Sequence, residues 1–237
     1  MNKNAGALIL GIFIFFGLST LGYLLGLAAI EFKQYERSVV VKGLSEREFS
    51  ADIVIWPIQY TVASNDIESI YDEMDRNTSK IQSFLVENGI KSDEVSFSSP
   101  SITDKSAQQY GNNTNAEFRY TASQTVTVYS ENIPTVRNVM SRLSELGKQG
   151  IVFTGGNYQT KTDYNFLRLN EVKPEMIEEA TRKAREVAEK FALDSQSKLG
   201  KIKRASQGQF SISDRDKNNP HIKKVRVVTT VEYYLSD

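Results

Sequence analysis

The stretch EFRYTASQTVTVY, residues 117–129, carries the clearest strand signal in the chain. Phe118, Tyr120 and Ala122 fall on one face of an extended chain, and the residues between them fall on the other. Alternation of this kind is typical of a β-strand with one buried face. We therefore predict a strand here that lies against a hydrophobic core.

Helical patterns flank this strand on both sides. The first predicted helix begins at Asn65, where Glu68 completes a capping-box pattern, and ends at Gly89. The second begins at Asn132, with Pro134 in its first turn. We expect both helices to cover a sheet with the following apolar residues: Ile67, Ile70, Tyr71, Met74, Ile81, Phe84 and Leu85 in the first, and Ile133, Val136, Val139, Met140, Leu143 and Leu146, as far as Gly147, in the second.

Other segments have the β-branched or alternating composition of strands. Pro57 lacks a backbone N–H, so we expect its strand to lie at a sheet edge or to carry a bulge. The polar residues 104–116 predict an exposed hairpin loop, and Gly155-Gly156 predicts a bend. The further predicted strands are residues 38–42, 52–63, 95–102, 151–158, 202–213 and 222–235.

The longest predicted helix covers residues 174–198, and small side chains dominate its apolar stripe. The resulting order is β-β-α-β-β-α-β-α-β-β. Helices separated by pairs of strands favour an α+β fold of two-layer sandwiches over a parallel doubly wound sheet. We predict two such subdomains, residues 38–130 and 131–237.

An uncharged apolar segment precedes this folded part. Residues 7–30 would span about 36 Å as a helix, which is enough to cross a bilayer. A cleaved signal peptide is the alternative, but its best cleavage site, after Ala29, has the bulky Leu27 three positions before the cut. We favour an uncleaved anchor over residues 1–31. Gly22 and Gly26 form a GxxxG pattern, which indicates close helix packing in the membrane or simply the abundance of glycine in such helices.

Composition and motifs exclude several kinds of chemistry. The chain has no cysteine, one histidine (His221) and a formal net charge of zero. Disulfides and thiolate metal sites are excluded, and neutral charge does not favour nucleic acid. Nucleotide-binding, metalloprotease, serine-hydrolase and calcium-loop motifs are absent. We predict a protein that is not an enzyme, with no cofactor, no metal and no nucleic-acid partner, and we expect His221 to lie in an exposed loop.

Six basic residues lie on two strands that can pair near the end of the chain. Together they predict one positive patch for an anionic lipid headgroup or a polysaccharide. The alternative is that they are edge-strand cations that prevent aggregation. The residues are Lys201, Lys203, Arg204, Lys223, Lys224 and Arg226.

The order of several segments resembles the bacterial SIMPL-domain family, which includes periplasmic immunogenic proteins and proteins labelled as oxidative-stress defence. The resemblance covers residues 39–235. It implies an α+β fold of two interwoven parts, an extracytoplasmic location and self-assembly, and it supplies no catalytic motif. The segments are VKGLSEREFSADIVIWPI, SKIQSFLVENGIKSDEVS, FRYTASQTVTV, AREVAEKFALDSQSKLGKI and KKVRVVTTVEYYL.

These observations predict a single-pass protein of the bacterial inner membrane with its folded part in the periplasm. We expect a homo-oligomer that supports envelope integrity or oxidative-stress defence. The alternative function is a binding module for an anionic envelope ligand through the basic patch. The apparent anchor distinguishes this chain from exported, cleaved members of the family.

Overall fold

The computed structural model describes residues 3–35, 37–107, 117–154 and 160–236. An α+β fold with antiparallel sheets follows an N-terminal apolar helix, as the sequence predicts. The helices are α1 (Lys3–Tyr35), α2 (Ile67–Glu87), α3 (Ile133–Ser141), α4 (Ser144–Gly147) and α5 (Leu169–Asp194); the strands are β1 (Ser38–Ser50), β2 (Ile53–Ser64), β3 (Val95–Phe97), β4 (Ser101–Asp104), β5 (Tyr120–Ser130), β6 (Val152–Phe153), β7 (Asp163–Asn165), β8 (Lys198–Gln207), β9 (Ser211–Asp214) and β10 (Ile222–Ser236).

The chain forms two compact units that are discontinuous in sequence. The first unit holds the described residues of 1–47, 172–211 and 226–237, and the second holds those of 48–171 and 212–225. This division differs from the predicted subdomains 38–130 and 131–237, which separate β1 from β10. The two strands are neighbours in one sheet, so the ends of the folded part belong together.

The second unit is built on a sheet of order β3-β5-β2-β6, in which β4 also pairs with β5 and β7 with β2. Strands β2 and β5 are in continuous antiparallel register from Val54 opposite Ser130 to Ser64 opposite Tyr120. Ala122, Val126 and Val128 of β5 are buried, which confirms the predicted alternation. Helices α2, α3 and α4 contribute further buried side chains to this core, among them Ile70, Ile81, Leu85, Val136, Val139 and Leu146.

Pro57 lies in a different place from the one predicted. Strand β2 is interior to its sheet, and its pairing with β5 has no bulge at Pro57. On the other side of β2, strand β7 pairs with residues 53–55 and β6 with residues 60–61. Within the described residues, Pro57 falls in the gap between these two short strands, where its missing N–H leaves no ladder bond unmade.

The helix ends show how local side chains decide boundaries. Asp66, not Asn65, caps α2, because its carboxylate accepts from the Ser69 N–H at 2.9 Å. Asn65 instead accepts from the Arg119 N–H at 2.8 Å, which ties it to the start of β5. Asn132 caps α3 as predicted, and its side chain accepts from the Thr135 N–H.

Helix α5 begins five residues earlier than its predicted start at Pro174. The Asp52 carboxylate accepts from the Leu167 and Arg168 N–H groups at 2.7 and 3.2 Å, just before the first turn. Pro174 is therefore accommodated inside the helix rather than at its start.

Several predicted elements are divided in the structure. Residues 95–102 form β3 and the start of β4, residues 202–213 contribute to β8 and β9, and residues 132–147 form α3 and α4. Only Val152–Phe153 of the predicted strand 151–158 is a strand among the described residues. The Gly155-Gly156 bend and residues 108–116 of the predicted loop lie outside the described residues.

In the first unit, the sheet has the order β1-β10-β8. Strand β9, which belongs to the second unit except for Ser211, also pairs with β10. Helix α5 packs on this sheet through a stripe of buried small residues at i,i+4 spacing. A Cβ added to Gly43 of β1 would stand 1.8 Å from the Ala180 carbonyl oxygen and 2.6 Å from the Ala184 nitrogen. The helix backbone therefore contacts β1 directly. The stripe comprises Ala180, Ala184, Ala188 and Ala192, below Met176.

Candidate functional site

A groove between α5 and β8 is the most distinctive concave surface of the first unit. Its volume is about 600 Å³. Arg182 and Arg185 border it from α5, together with Glu178, and Lys201 borders it from β8. Ile202 and Tyr233 provide apolar surface. Three cations and one carboxylate give the groove a net positive charge.

Strand β8 forms one wall of this groove and is an edge strand. Within the described chain it pairs only with β10, from Thr229 opposite Gln207 to Ser236 opposite Lys198. Every residue of β8 except Leu199 is exposed, and Ile202 exposes 49 % of its surface. Helix α5 buries Val231 and Tyr233 of the neighbouring strand, but on β8 it leaves every residue except the half-buried Leu199 exposed.

The six predicted anion-binding residues are not brought together by the strand pairing. Strand β8 starts to pair with β10 at Thr229, beyond Arg226, so Lys201, Lys203 and Arg204 lie opposite residues near 232–235. Lys203 forms an ion pair with Glu232 at 3.1 Å, and Arg226 forms one with Glu46 at 3.8 Å. The arrangement differs from a single patch of free cations.

Lys223 and Lys224 belong to the second unit. The Lys223 side chain is only 11 % exposed and forms an ion pair with Asp214. Lys224 is half-buried. Arg182, Lys201 and Arg204, by contrast, are exposed and form no ion pair with any part of the chain that the structure describes. Arg182 and Lys201 are thus available to an anionic partner, whereas Arg204 lies opposite Glu232 in the strand pair.

Strand β1 is the other edge of the same sheet. Its odd-numbered residues from Val41 to Ser45 are buried, and its even-numbered residues face away from α5. Val40 and Leu44 expose 61 % and 39 % of their surfaces. Lys42 is the one charged residue between Ser38 and Ser45. This edge is therefore more apolar than the edge formed by β8.

An ion-pair cluster fixes β1 to α5. The Glu179 carboxylate accepts from Lys183 Nζ at 2.6 Å, Ser45 Oγ at 2.9 Å and Arg47 Nε at 2.9 Å. Lys183 and these other donors lower the pKa of Glu179 to about 2. The carboxylate thus remains charged at neutral pH and serves a structural contact.

Helix α1 contains Leu10–Glu31, a 22-residue stretch with a mean hydropathy of 2.0, none of which is buried. It is long and apolar enough to cross a membrane, as an anchor or as a signal sequence. Gly22 and Gly26 lie four residues apart on α1, and a Cβ added to either would meet no atom within 4 Å. Their predicted role in helix packing stays a prediction.

His221 is not the exposed loop residue that the sequence predicts. It is half-buried, and its Nε2 lies 2.8 Å from Arg137 Nη1. Because the guanidinium can only donate, Nε2 accepts and the imidazole is neutral. Nδ1 is buried and has no hydrogen-bond partner in the described part of the chain. Burial lowers the pKa of His221, and the positive charge of Arg137 lowers it further.

We expect His221 to make the protein less stable in mild acid. Its folded pKa lies below the unfolded value of 6.5, so the unfolded state binds more protons in this range. Its contribution to the free energy of unfolding is complete above pH 6.5 and is lost as the pH falls through the folded pKa. Because the chain has one histidine, a single imidazole signal in NMR reports this pKa. Arg137→Gln should raise it towards 6.5, and an unchanged pKa would contradict the assigned contact.

The carboxylates do not converge on a metal-binding arrangement. No group of three or more His, Asp or Glu side chains that could hold a metal ion occurs among the residues described. Asp216 accepts from the Asn218 and Asn219 N–H groups, each at 2.9 Å, and thereby closes the turn before β10. Its pKa is lowered to about 2, most strongly by the Asn219 side chain.

The model of the SIMPL family, described as a protein of unknown function (DUF541), matches residues 39–232. The chain belongs to the SIMPL family. The match confirms the resemblance predicted from the sequence and extends through both units, from β1 to β10. The apolar helix α1 lies outside the SIMPL match. No curated protein matches the chain.

Sequence reasoning found Lys201 among the groove residues but missed the groove itself. The α5 wall carries acid–base pairs at i,i+4 spacing, a pattern that is typical of a solvated helix face. Glu179–Lys183 forms such a pair. The narrow alanine stripe of α5 is the feature of the sequence that could have predicted the groove. A helix that packs through so narrow a stripe of small residues covers two strands of a sheet and leaves the third strand exposed.

Proposed function

We propose that this SIMPL protein is a non-enzymatic, membrane-anchored protein that assembles with copies of itself. In this proposal α1 is an uncleaved anchor in the bacterial inner membrane, and the folded part lies in the periplasm. The length and hydropathy of Leu10–Glu31 support the anchor. Support of envelope integrity or of oxidative-stress defence is the role that the family resemblance favours.

The open edge of β1 is the observation that carries the assembly proposal. An edge strand presents unpaired backbone N–H and C=O groups to another chain unless charge, proline or a covering element prevents it. Between Ser38 and Ser45, β1 has only Lys42 as a charged residue and exposes Val40 and Leu44. Two copies of β1 can pair antiparallel around a two-fold axis, with each contact made twice.

The opposite edge is less suited to self-pairing. Lys198, Lys201, Lys203 and Arg204 lie within seven residues of β8. Two antiparallel copies of β8 would bring like charges together, which is destabilising. Lysines on an exposed edge are a common device against such pairing. We therefore assign self-association to β1.

A non-enzymatic role is supported by what the perturbed carboxylates contact. Asp52 accepts a hydrogen bond from the Leu167 N–H, just before α5. Asp104 forms an ion pair with Arg119 at 2.9 Å, and Glu179 joins β1 to α5. The pKa of each is lowered, not raised towards neutrality as a general acid requires. Each of these contacts holds structural elements together.

The mass of the full chain in detergent, measured by light scattering after size exclusion, tests the assembly. We expect a defined multimer. The Val40→Lys variant should shift towards the monomer, because a lysine on the edge strand β1 opposes its pairing with a second copy. Ser206→Lys places the same charge on exposed β8 and should leave the mass unchanged. A monomeric wild type at high concentration would refute the proposal. Loss of the multimer in Gly22→Leu/Gly26→Leu but not in Val40→Lys would assign assembly to α1 instead.

A further inference from the structure

We propose that β8 and the groove beside α5 bind an extended, acidic segment of another polypeptide, which adds to the sheet as a further strand. Three independent features converge here: an open strand edge, a groove between that edge and a helix, and a surplus of positive charge. This inference concerns the opposite edge of the sheet from β1 and does not depend on self-assembly.

The open edge supplies the backbone contacts. Along the described chain β8 has one strand neighbour, β10, so its other edge is available over ten residues. An added strand forms main-chain hydrogen bonds that give affinity, while pockets for alternate side chains give specificity. The exposure of Lys201 through Gln207 shows that no element of the first unit covers this edge.

The groove supplies a place for alternate side chains of the added strand. Helix α5 stands beside β8 at a distance that leaves about 600 Å³ between them. Tyr233, 3 % exposed, and Ile202, 49 % exposed, offer apolar surface in this space. Side chains of an extended segment point alternately to the two faces of a sheet, so every second one would enter the groove.

Charge selects an acidic occupant over a second copy of β8. Arg182 and Lys201 line the groove and have no ion-pair partner in the residues described. Arg185 also lines it and reaches Glu189 at 3.0 Å, and Glu178 is the single acid in the lining. Arg204 adds a positive charge farther along β8, opposite Glu232 of β10. Carboxylates of the added strand would form charge-assisted hydrogen bonds with these cations.

The register of β8 and β10 is irregular beside the groove. Shifts occur between Glu232 and Tyr233 and again between Tyr233 and Leu235, opposite the stretch that contains Gly200 and Lys201. A Cβ added to Gly200 would lie 3.0 Å from the Tyr234 carbonyl oxygen, so the strands are close at this point. An irregular register changes the direction in which nearby side chains point. Lys201, which lies in this irregular stretch, lines the groove.

The test uses the full chain in nanodiscs of neutral phosphatidylcholine and a fluorescent, end-blocked peptide, (Val-Glu)4. We expect saturable binding in fluorescence anisotropy, and binding at least about tenfold weaker for (Val-Lys)4. A version of (Val-Glu)4 with alternate backbone nitrogens methylated keeps its charge but cannot add as a strand. We expect it to bind at least about tenfold more weakly as well. Equal binding of the methylated peptide would overturn the proposal.

Protein variants locate the site. Arg182→Glu/Lys201→Glu should weaken (Val-Glu)4 at least about tenfold, because both groove cations are reversed. Lys190→Glu changes the charge of α5 at an exposed position outside the groove and should leave the affinity unchanged. Circular dichroism checks that each variant is folded. Equal weakening in both variants would overturn the assignment to the groove.

Two further results would also overturn the proposal. Binding that depends on Lys201 to nanodiscs containing phosphatidylglycerol, with none to (Val-Glu)4, would make the groove a lipid-headgroup site. If light scattering shows that (Val-Glu)4 dissociates the multimer, the groove is occupied by a second copy of the chain and not by another polypeptide. An intact multimer that binds the peptide supports the inference, whereas a monomer that binds it refutes only the proposed assembly.

Discussion

Gly43→Ala should be among the most damaging single-methyl changes in the first unit. The added Cβ would lie 1.8 Å from the Ala180 carbonyl oxygen and 2.6 Å from the Ala184 nitrogen, both of which are backbone atoms of α5. A side chain can rotate away from such a clash, but a helix backbone must move as a whole. Overpacking typically costs about 1–3 kcal/mol, and we expect about 3 kcal/mol or more here.

Hydrogen–deuterium exchange measures this loss where it occurs. The expected result is faster exchange of the α5 amides from Met176 to Ala192, because α5 must separate from the sheet. Gly147→Ala is the matched control, since a Cβ there meets no atom within 4 Å and Gly147 has no positive φ. Protection of α5 that is equal in the two variants would show that the helix does not contact β1 as closely as described.

The close approach at Gly43 also explains why the two edges of the sheet differ. Since α5 lies directly against β1, the helix packs on β1 and β10, and Leu199 is the residue of β8 that packs against the same core. The β1 edge is left apolar, while the β8 edge is left charged and beside the groove. The close packing of Gly43 against the alanines of α5 thus leaves the sheet with one apolar edge and one charged edge.

Local patterns predicted the second unit better than the first. The alternation of β5, the cap at Asn132 and most of the apolar faces of α2 and α3 are short-range features that the structure confirms. Ile67 and Tyr71, which the sequence predicts on the covered face of α2, are exposed. The pairing of β1 with β10 joins residues about 200 positions apart, as the hydrogen bond from the Leu235 N–H to the carbonyl of Arg37, just before β1, shows. No periodicity within a segment encodes such a partner, so the predicted boundary at residue 130 follows chain order alone.

The candidate site was predictable in its residue types but not in its arrangement. The sequence indicates that cations cluster on the last strands, and the structure places Lys201 and Arg204 on an open edge. Which cations are already paired depends on strand register. Lys203 forms an ion pair with Glu232, and Lys223 forms one with Asp214, because β8 and β9 pair with different parts of β10. Register is a property of tertiary packing that residue composition does not specify.

Tyr60→Ala should have the largest effect in the second unit. Tyr60 is fully buried on the interior strand β2, and replacement of a large buried aromatic residue by alanine costs about 3–5 kcal/mol. Its hydroxyl lies 2.6 Å from Gln124 Oε1, 2.7 Å from Thr78 Oγ1 and 3.1 Å from the Met74 carbonyl oxygen. The side chain therefore joins β2 to both α2 and β5.

Tyr60→Phe separates the two contributions, because it keeps the ring and removes the hydroxyl. Thr78 Oγ1 can still donate to Gln124 Oε1 at 2.9 Å, so part of the network survives. We expect a loss of about 1–2 kcal/mol for Tyr60→Phe. Tyr129→Phe, on the exposed face of β5, should change the free energy of unfolding by less than about 0.5 kcal/mol.

Urea unfolding followed by the fluorescence of Trp56 measures all three variants, because this one tryptophan is buried in the same sheet. An order of Tyr60→Ala, Tyr60→Phe and Tyr129→Phe, from the largest loss to the smallest, is the expected result. Equal losses for the two Tyr60 variants would mean that the hydroxyl, not the ring, supplies the stability. In that case the buried contact with Gln124 and Thr78, rather than hydrophobic packing, would be what holds α2 against β2 and β5.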